Sequence, residues 1–193
     1  MVVEGLPQRG LVLVSGASRS GKSAWAEYLA SQWQGPVRYL ATGPAAEGDQ
    51  AWSERVGAHQ RRRPAQWQTL EVGAALEESL QGVSPASSDE PAACLLIDSL
   101  GTWLAWHLEE SDAQWQRRCD GLLAALTSQP GPVLLVIEET GWGVVPPTAI
   151  GGLFRDRLGA LQQRLMGVAA AAWLVVAGRA LNLMELGLAV PSP

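Results

Sequence analysis

Val14-Ser15-Gly16-Ala17-Ser18-Arg19-Ser20-Gly21-Lys22-Ser23-Ala24-Trp25 is the stretch of sequence that decides the fold. Within it, residues 16–23 match the pattern Gly-x-x-x-x-Gly-Lys-Ser/Thr of a phosphate-binding loop. The pattern needs a strand before it and a helix after it, and the apolar residues 11–14 and the segment 24–33 supply both. Glycines let backbone N–H groups turn around a phosphate, and the helix N-terminus adds partial positive charge. The stretch therefore predicts a nucleotide-binding fold.

Two side chains of this loop are predicted to make specific contacts with a bound nucleotide. Lys22 would reach the β- and γ-phosphates of a nucleotide, and the Ser23 hydroxyl would hold Mg²⁺. Of the 14 lysines and arginines in the chain, only Lys22 is a lysine. A compact ammonium fits inside such a loop, whereas a planar guanidinium does not. The predicted nucleotide-binding residues here are Gly16, Ala17, Ser18, Arg19, Ser20, Gly21, Lys22 and Ser23, and Lys22 is also predicted to be catalytic.

Length and composition limit the class of protein. At 193 residues the chain is most simply one domain over residues 1–193, with residues 1–10 and 180–193 as flexible ends. The net charge of −5 provides no global basic face, which argues against a nucleic-acid partner. No apolar run reaches the roughly 18–20 residues of a membrane span, and the N-terminus lacks a signal-peptide pattern.

The cysteines and tryptophans add two further expectations. Cys94 and Cys119 fit no metal-binding spacing, so we expect a cytoplasmic protein with reduced thiols. The nine tryptophans are expected to pack in the core or at a subunit interface, and none is assigned a ligand.

Predicted strands alternate with predicted helices along the chain. The strands are predicted at residues 11–15, 37–41, 67–71, 93–98, 132–137 and 172–177. The helices are predicted at residues 24–33, 49–60, 72–80, 102–108, 113–126 and 150–170. This order predicts an α/β fold with a mostly parallel sheet and right-handed crossovers. The Leu-rich tail from Arg179 onward is left without an element.

Polar residues follow two of the predicted strands. Thr42 and Gly43 come directly after the second strand, and Asp98 ends a later one. Ligands of open α/β sheets bind at this edge. Asp98 stands where nucleotide-hydrolysing folds place the acidic partner of Mg²⁺. A helix N-cap is the other role for an aspartate at a strand end, and the two roles are compatible. Ser23 and Asp98 are therefore the predicted Mg²⁺ ligands.

A histidine beside an arginine cluster suggests covalent chemistry. His59 lies close to Arg61, Arg62 and Arg63, whose positive charge favours the neutral, nucleophilic imidazole. The arginines can bind phosphate oxygens bidentately, and a neutral histidine can attack phosphorus. From the residues alone, a solvated basic helix end with an incidental histidine stays open as the alternative. The other histidine, His107, is expected to be structural.

Glu71 follows this basic segment and offers a way to recognise a base. A carboxylate can accept two hydrogen bonds from the N–H groups on the edge of guanine, which adenine lacks. Taken alone the signal is weak, because most glutamates are only solvated.

Together these motifs resemble the bifunctional adenosylcobinamide kinase / adenosylcobinamide-phosphate guanylyltransferase family. The resemblance runs from about residue 11 to residue 178. The motifs beyond the phosphate loop are Tyr39-Leu40-Ala41-Thr42, Arg55-Val56-x-x-His59-x-x-x-Arg63-Pro64-x-x-Trp67-x-Thr69-x-Glu71, Leu95-Leu96-Ile97-Asp98-Ser99-Leu100, Glu139-x-Gly141-x-Gly143-Val144-Val145-Pro146, Phe154-Arg155-Asp156 and Trp173-Leu174-Val175-Val176-Ala177-Gly178.

The resemblance implies a RecA-like P-loop fold and a homo-oligomer, commonly a trimer. It implies that His59 becomes guanylylated. The remaining residues that it assigns to the nucleotide site are Ala41, Thr42, Gly43, Gln60, Arg61, Arg62, Arg63, Glu71 and Asp98.

The resemblance also implies two reactions. In the first, ATP or GTP phosphorylates the aminopropanol hydroxyl of adenosylcobinamide. In the second, His59 attacks the α-phosphorus of GTP, expels pyrophosphate and passes GMP to the cobinamide phosphate, giving adenosyl-GDP-cobinamide. Mg²⁺ would screen charge in both steps.

Departures from the family pattern leave alternatives open. Ala58 replaces the first of two histidines usual in the family, and His59 keeps the reactive second one. Trp106 and Gln162 also replace residues usual in the family, and they lie outside the GTP motifs. A member with only the guanylyltransferase activity is therefore one alternative. A regulatory nucleotide-binding switch without transfer chemistry is an alternative of a different class.

Overall fold

A computed structural model of the chain describes residues 6–44, 57, 63–82, 91–142 and 147–191. In these residues the strands are β1 (Gly10–Gly16), β2 (Val37–Ala41), β3 (Gln68–Glu71), β4 (Cys94–Asp98), β5 (Pro132–Glu138), β6 (Ala169–Val176) and β7 (Arg179–Asn182). The helices are α1 (Lys22–Ser31), α2 (Leu76–Gln81), α3 (Leu100–Ala105), α4 (Asp112–Thr127), α5 (Ala149–Met166) and α6 (Leu183–Leu186).

The seven described strands form one sheet in the order β3-β2-β4-β5-β1-β6-β7. Neighbouring strands are parallel except for β6 and β7, which are antiparallel. The register aligns the strand ends, because Ala41 lies opposite both Glu71 and Asp98, and Gly16 lies opposite Glu138. We call this side of the sheet the carboxyl edge. It carries the phosphate loop, and it is the edge at which ligands bind in this class of fold.

Buried apolar side chains cover both faces of the sheet, as the uninterrupted apolar strands predict. On one side, called the α1 face, the strands pack against α1, and the buried residues there include Val12, Val14, Ala26, Leu29 and Leu96. On the other side they pack against α2 to α5, with buried residues that include Leu13, Ile97, Trp103, Trp115 and Leu158. The prediction of a mostly parallel, three-layer P-loop fold is therefore confirmed.

The prediction of a helix at residues 150–170 is wrong at its end. The helix α5 ends at Met166, Gly167 is its C-cap, and β6 begins at Ala169. Alanine favours helices when local propensity alone decides. Here Ala169 and Ala171 pair with Leu11 and Val12 of β1 instead, so pairing within the sheet overrides the propensity of the alanine run.

Other boundaries also differ from the prediction. The helix α2 begins at Leu76 rather than at residue 72, because Val72 N–H and Gly73 N–H both donate to the Ala41 carbonyl in a turn. Where the sequence predicts a flexible end after residue 179, the structure has β7 and α6. The helix predicted at residues 49–60 lies outside the described residues, except at position 57. None of the described helices combines the length and apolar character needed to cross a membrane.

Candidate active site

The phosphate loop connects β1 to α1 and contains two glycines that its backbone requires. A Cβ atom on Gly16 would lie 2.5 Å from the Val175 carbonyl oxygen and 2.6 Å from Ser20 Oγ, so no side chain fits there. Gly21, the N-cap of α1, has a φ of 101°, in the left-handed region that favours glycine. Gly16 is thus required by close packing against β6 and Ser20, and Gly21 by its backbone conformation.

Hydrogen bonds hold the loop around the N-terminus of α1. Ser20 N–H donates to the Ala17 carbonyl at 3.2 Å, and Gly178 N–H donates to the Ser20 carbonyl at 2.9 Å. The fully described α1 has no side-chain cap at Gly21 and no acidic residue in its first turn. The positive end of the helix dipole therefore faces the loop without a neutralising carboxylate, which suits an anion.

Lys22 lies inside this loop with 4% of its surface exposed. Its Nζ atom donates a hydrogen bond to the Ala17 carbonyl at 3.4 Å. An ammonium has three donors, and among the described residues only Ala17 accepts from it. The buried charge is therefore placed where the phosphates of a nucleotide would supply its remaining partners.

Asp98 lies at the carboxyl edge, two strands away from the phosphate loop. It ends β4, and the alternation of side chains places it on the α1 face with Leu96. The Tyr39 hydroxyl donates to Asp98 Oδ2 at 2.7 Å. Burial, followed by the charge of Asp98, raises the pKa of Tyr39, so this hydroxyl stays protonated and donates. The carboxylate is thereby oriented at the edge.

Arg63 is the member of the arginine cluster that the structure describes. Its guanidinium carbon lies 3.3 Å from the centre of the Tyr39 ring, and its Nη1 atom donates to Thr69 Oγ1 at 3.4 Å. Arg63 therefore reaches the α1 face beside the residue that binds Asp98. The predictions for His59, Gln60, Arg61 and Arg62 concern residues outside the described parts of the chain, so they stay predictions.

The residues at the ends of β2 and β3 have different surroundings. Glu71 is exposed opposite Ala41, so its carboxylate is accessible at the carboxyl edge. Thr42 is fully buried, and its hydroxyl both donates to the Ser99 carbonyl and accepts from Ser99 N–H, each at 2.7 Å. The Trp106 indole N–H donates to the Thr42 carbonyl at 2.9 Å. Thr42 is thus held by the N-cap and the C-cap residues of α3, whereas Glu71 is directed to solvent.

Comparison with known proteins identifies the family. Residues 12–183 match the family described as "CobU: Cobinamide kinase / cobinamide phosphate guanyltransferase". The chain belongs to this family. It is 40% identical over 157 residues to the bifunctional adenosylcobalamin biosynthesis protein CobP of Pseudomonas aeruginosa, over 79% of this chain and 85% of that protein. It is 34% identical over 179 residues to the bifunctional adenosylcobalamin biosynthesis protein CobU of Salmonella typhimurium, over 87% of this chain and 96% of that protein.

Solved structures of distant sequence share the fold. The flagellar accessory protein FlaH from Methanocaldococcus jannaschii matches with a TM-score of 0.51 at 15% identity, over 95% of this chain and 83% of that chain. A protein from Pyrococcus horikoshii OT3 matches with a TM-score of 0.56 at 7% identity, over 93% and 87%. At these identities the likeness concerns the fold alone.

The chain also has a link between the ends of β4 and β5 that the sequence analysis does not predict. Glu138 accepts hydrogen bonds from Gly101 N–H at 2.9 Å and from the Ser99 hydroxyl. Ser99 also forms the capping box of α3 with Thr102. The only sequence signal is the acidic pair Glu138-Glu139 directly after the apolar run of residues 132–137. Because Glu138 lies opposite Gly16, this link fixes the edge next to the phosphate loop.

His107 is bound within the protein, in agreement with the structural role expected for it. It is buried, its Nδ1 atom lies 3.1 Å from Glu110 Oε1, and its Nε2 atom lies 3.3 Å from the Ala74 carbonyl oxygen. Burial, followed by the charge of Arg118, lowers the pKa of His107, against the opposing charge of Glu110. Burial therefore disfavours the charged form of the ring.

The side-chain oxygens of Ser23 and Asp98 are of a type that fits Mg²⁺. Ser23 lies in the first turn of α1 and Asp98 ends β4, and both carry the hard oxygen atoms that Mg²⁺ prefers. The described residues contain no group of three or more His, Cys, Asp or Glu side chains that could hold a metal. Mg²⁺ usually binds through one or two carboxylates together with substrate phosphates. The donor set thus suits a Mg²⁺ ion that enters with a nucleotide.

Proposed function

We propose that this chain carries both activities named for its family, phosphorylating adenosylcobinamide and then transferring GMP from GTP to the phosphorylated product. The observation that carries the proposal is the arrangement of Lys22, Asp98 and Arg63 around one sheet edge, in a chain matched to the family over residues 12–183. The loop supplies a phosphate site, and the arginine cluster supplies a second group of phosphate-binding cations.

In the kinase step, residues 16–23 would hold the nucleotide phosphates with backbone N–H groups and the Lys22 ammonium. The aminopropanol hydroxyl of adenosylcobinamide attacks the γ-phosphorus, and the nucleoside diphosphate leaves. Lys22 stabilises the negative charge on the phosphoryl oxygens because it is buried and close to them. Ser23 and Asp98 would hold Mg²⁺, which screens phosphate charge when it is bound.

In the guanylyl-transfer step, the neutral imidazole of His59 attacks the α-phosphorus of GTP. The bond to pyrophosphate breaks, and GMP is held on the ring as a phosphoramidate. An oxygen of the cobinamide phosphate then attacks the phosphorus of the bound GMP. The bond from that phosphorus to His59 breaks, which gives adenosyl-GDP-cobinamide and leaves His59 free for the next cycle. The match of His59, Arg63 and Glu71 to the family motif supports this step, and the exposed carboxylate of Glu71 suits recognition of the guanine edge.

We further propose that residues 1–193 form one domain that assembles as a homotrimer. Apolar side chains are exposed on β7, on α6 and in the segment after α6, namely Leu181, Met184, Leu186, Leu188 and Val190. Exposed apolar surface of this kind indicates a protein–protein interface. In the described sheet β7 is also an edge strand, which can be covered by a neighbouring chain.

A cytoplasmic location is part of the same proposal. Cys94 and Cys119 are buried free thiols. Burial raises the pKa of Cys94 to about 12 and that of Cys119 to about 11, so both stay protonated and unreactive. Two such thiols suit a reducing compartment.

Product analysis tests the proposed function. The protein is incubated with adenosylcobinamide, Mg²⁺ and either ATP or GTP, and the corrinoid products are separated. We expect phosphorylated adenosylcobinamide, followed by adenosyl-GDP-cobinamide when GTP is present. A protein with only guanylyltransferase activity would convert added cobinamide phosphate but not adenosylcobinamide. A nucleotide-binding switch would bind GTP and give neither product, which would contradict the proposal.

A further inference from the structure

We propose that Glu139 is the catalytic base of the kinase step and that Gln162 positions its carboxylate. The inference rests on the proposed function and deepens it, because it names the group that takes the proton from the aminopropanol hydroxyl. As the hydroxyl oxygen forms its bond to the γ-phosphorus, the bond from that phosphorus to the nucleoside diphosphate breaks, and the hydroxyl proton passes to the Glu139 carboxylate. Release of this proton to solvent restores the carboxylate for the next cycle.

The backbone of Glu139 is attached to the start of the phosphate loop. Its N–H donates to the Gly16 carbonyl at 3.0 Å, directly after β5 ends beside β1. The next carbonyl of the loop, that of Ala17, accepts a hydrogen bond from the Lys22 ammonium. Glu139 and the buried ammonium thus contact neighbouring peptide groups of one loop. This places Glu139 next to the region in which the loop would hold the transferred phosphate.

The carboxylate of Glu139 is held through one of its two oxygens. Gln162 on α5 donates from Nε2 to Glu139 Oε1 at 2.7 Å. No other side chain of the described residues binds this carboxylate, and Glu139 is half-buried. A carboxylate fixed through Oε1 keeps Oε2 as an acceptor for a substrate proton. Because Gln162 is an amide, it orients the carboxylate without neutralising its charge.

The adjacent Glu138 has a different task. Both of its oxygens accept hydrogen bonds within the protein, Oε1 from the Ser99 hydroxyl and Oε2 from Gly101 N–H. These bonds tie Glu138 to the start of α3, whereas Glu139 contacts α5. Of the two acidic residues at the end of β5, one therefore holds the sheet edge together and the other is available for proton transfer.

The chain after Glu139 offers an apolar surface for the acceptor. It passes close to α5, because a Cβ atom on Gly141 would lie 3.4 Å from Arg155 Cδ. Trp142 follows, beyond the carboxyl end of β5, with 65% of its surface exposed. Exposed aromatic surface of this kind suits a large substrate with apolar faces, such as a corrinoid ring. Glu139 thus connects the phosphate loop to a surface that suits the acceptor.

The two proposed reactions of one chain make the test selective. Glu139→Gln keeps the size of the side chain and removes the proton acceptor. Kinase turnover of adenosylcobinamide is measured beside formation of the GMP adduct from Mg²⁺–GTP. We expect the kcat of the kinase to fall about 100- to 10,000-fold, the usual contribution of a general base. The GMP adduct and the transfer of GMP to added cobinamide phosphate should keep their wild-type rates, because neither step uses the hydroxyl proton.

A matched control and a binding measurement separate chemistry from structure. Glu109 is an exposed glutamate that follows α3, and Glu109→Gln should keep both activities. The nucleotide-induced shift in Tm should not fall in Glu139→Gln. If Glu139→Gln loses nucleotide binding or the GMP adduct together with kinase turnover, its role is structural and the assignment of a base is overturned.

A double-mutant cycle tests the part played by Gln162. Gln162→Leu should lower the kcat of the kinase by up to about 100-fold, as expected for a misplaced catalytic group, and should leave the nucleotide affinity unchanged. In the Glu139→Gln background the same change should add nothing, because the base is already absent. Additive losses would overturn the positioning role.

The outcomes also distinguish this inference from the proposed function. A wild type that gives no phosphorylated adenosylcobinamide overturns both. A wild type with kinase turnover and a Glu139→Gln variant within about 10-fold of its kcat overturn this inference alone, since a missing base costs at least about 100-fold.

Discussion

Replacing Lys22 by methionine should abolish kinase turnover and weaken nucleotide binding without destabilising the nucleotide-free protein. Methionine keeps a long, unbranched side chain at a position that is 4% exposed and removes only the ammonium. In the nucleotide-free protein the lost contact is the 3.4 Å hydrogen bond to the Ala17 carbonyl. A bond this long contributes little, so we expect the free energy of unfolding to change by less than about 1 kcal/mol.

The effect on binding follows from the loss of one charged hydrogen-bond donor to the phosphates. Hydrogen bonds to charged groups contribute about 1.5–3 kcal/mol, which raises the nucleotide Kd by about 13- to 150-fold. The kinase rate should fall further than the affinity, because Lys22 also stabilises charge on the transferred phosphoryl group.

Thermal unfolding with and without Mg²⁺–nucleotide measures this loss. At a nucleotide concentration of about 100 times the wild-type Kd, binding stabilises the wild type by about 2.7 kcal/mol and the variant by about 0.3–1.3 kcal/mol. For a chain of this length, each kcal/mol shifts the Tm by about 2–4 °C. A wild-type shift of about 5–11 °C should therefore fall to about 1–5 °C in the variant.

Two results would refute the reasoning. If Lys22→Met keeps a wild-type nucleotide-induced shift and a near-normal kinase rate, the phosphate-loop assignment is wrong. Lys22→Arg keeps the charge but puts a planar guanidinium inside the loop, so it should also lose turnover. Wild-type turnover in Lys22→Arg would contradict the argument drawn from the single lysine.

Three further predictions concern base choice, pH dependence and assembly. Glu71→Gln should reduce the preference for GTP over ATP in competition binding by up to about 1.5–3 kcal/mol. The reason is that a neutral amide offers one acceptor where the carboxylate offers two. An unchanged preference would exclude a role of Glu71 in guanine recognition. The pKa of His107 is lower in the folded protein than in the unfolded chain. Between these two pKa values the unfolded chain binds more protons, so the free energy of unfolding falls as the pH drops through about 6.5. His107→Gln should flatten the dependence of the urea midpoint on pH between about pH 7.5 and pH 5, and a slope equal to that of the wild type would contradict this assignment. Leu186 is 70% exposed on α6, so Leu186→Glu should shift the protein from an oligomer toward the 20.5 kDa monomer in sedimentation. A wild-type protein that is already monomeric at micromolar concentration would argue against the proposed oligomer.

Features fixed by neighbouring residues could be predicted from the sequence. The phosphate loop is one, because its pattern lies within residues 16–23 and Gly21 is required by its own left-handed backbone conformation. The close approach of the Val175 carbonyl oxygen to Gly16 is a distant contact that the pattern does not show. The position of Asp98 at the end of a buried strand is another, since it follows from a short apolar run.

Features that depend on distant pairing could not be predicted in this way. The hydrogen bond from Tyr39 to Asp98 joins residues 59 positions apart and requires β2 to lie beside β4. The link from Glu138 to Ser99 likewise requires β4 beside β5. At Ala169, local helix propensity predicts a helix, but pairing with β1 makes this residue part of strand β6.

The covalent guanylyl-histidine is the central claim, and intact-mass measurement after incubation with Mg²⁺–GTP tests it most directly. We predict a mass increase of one GMP group that is stable to base and labile to acid, as expected for a phosphoramidate. His59→Ala should lose the adduct and guanylyl transfer but keep much of the cobinamide kinase activity, which depends on Lys22, and His107→Ala should keep the adduct. An adduct that persists in His59→Ala and disappears in His107→Ala would show that the wrong histidine has been chosen. An adduct unaffected by either change would place the covalent chemistry on another residue.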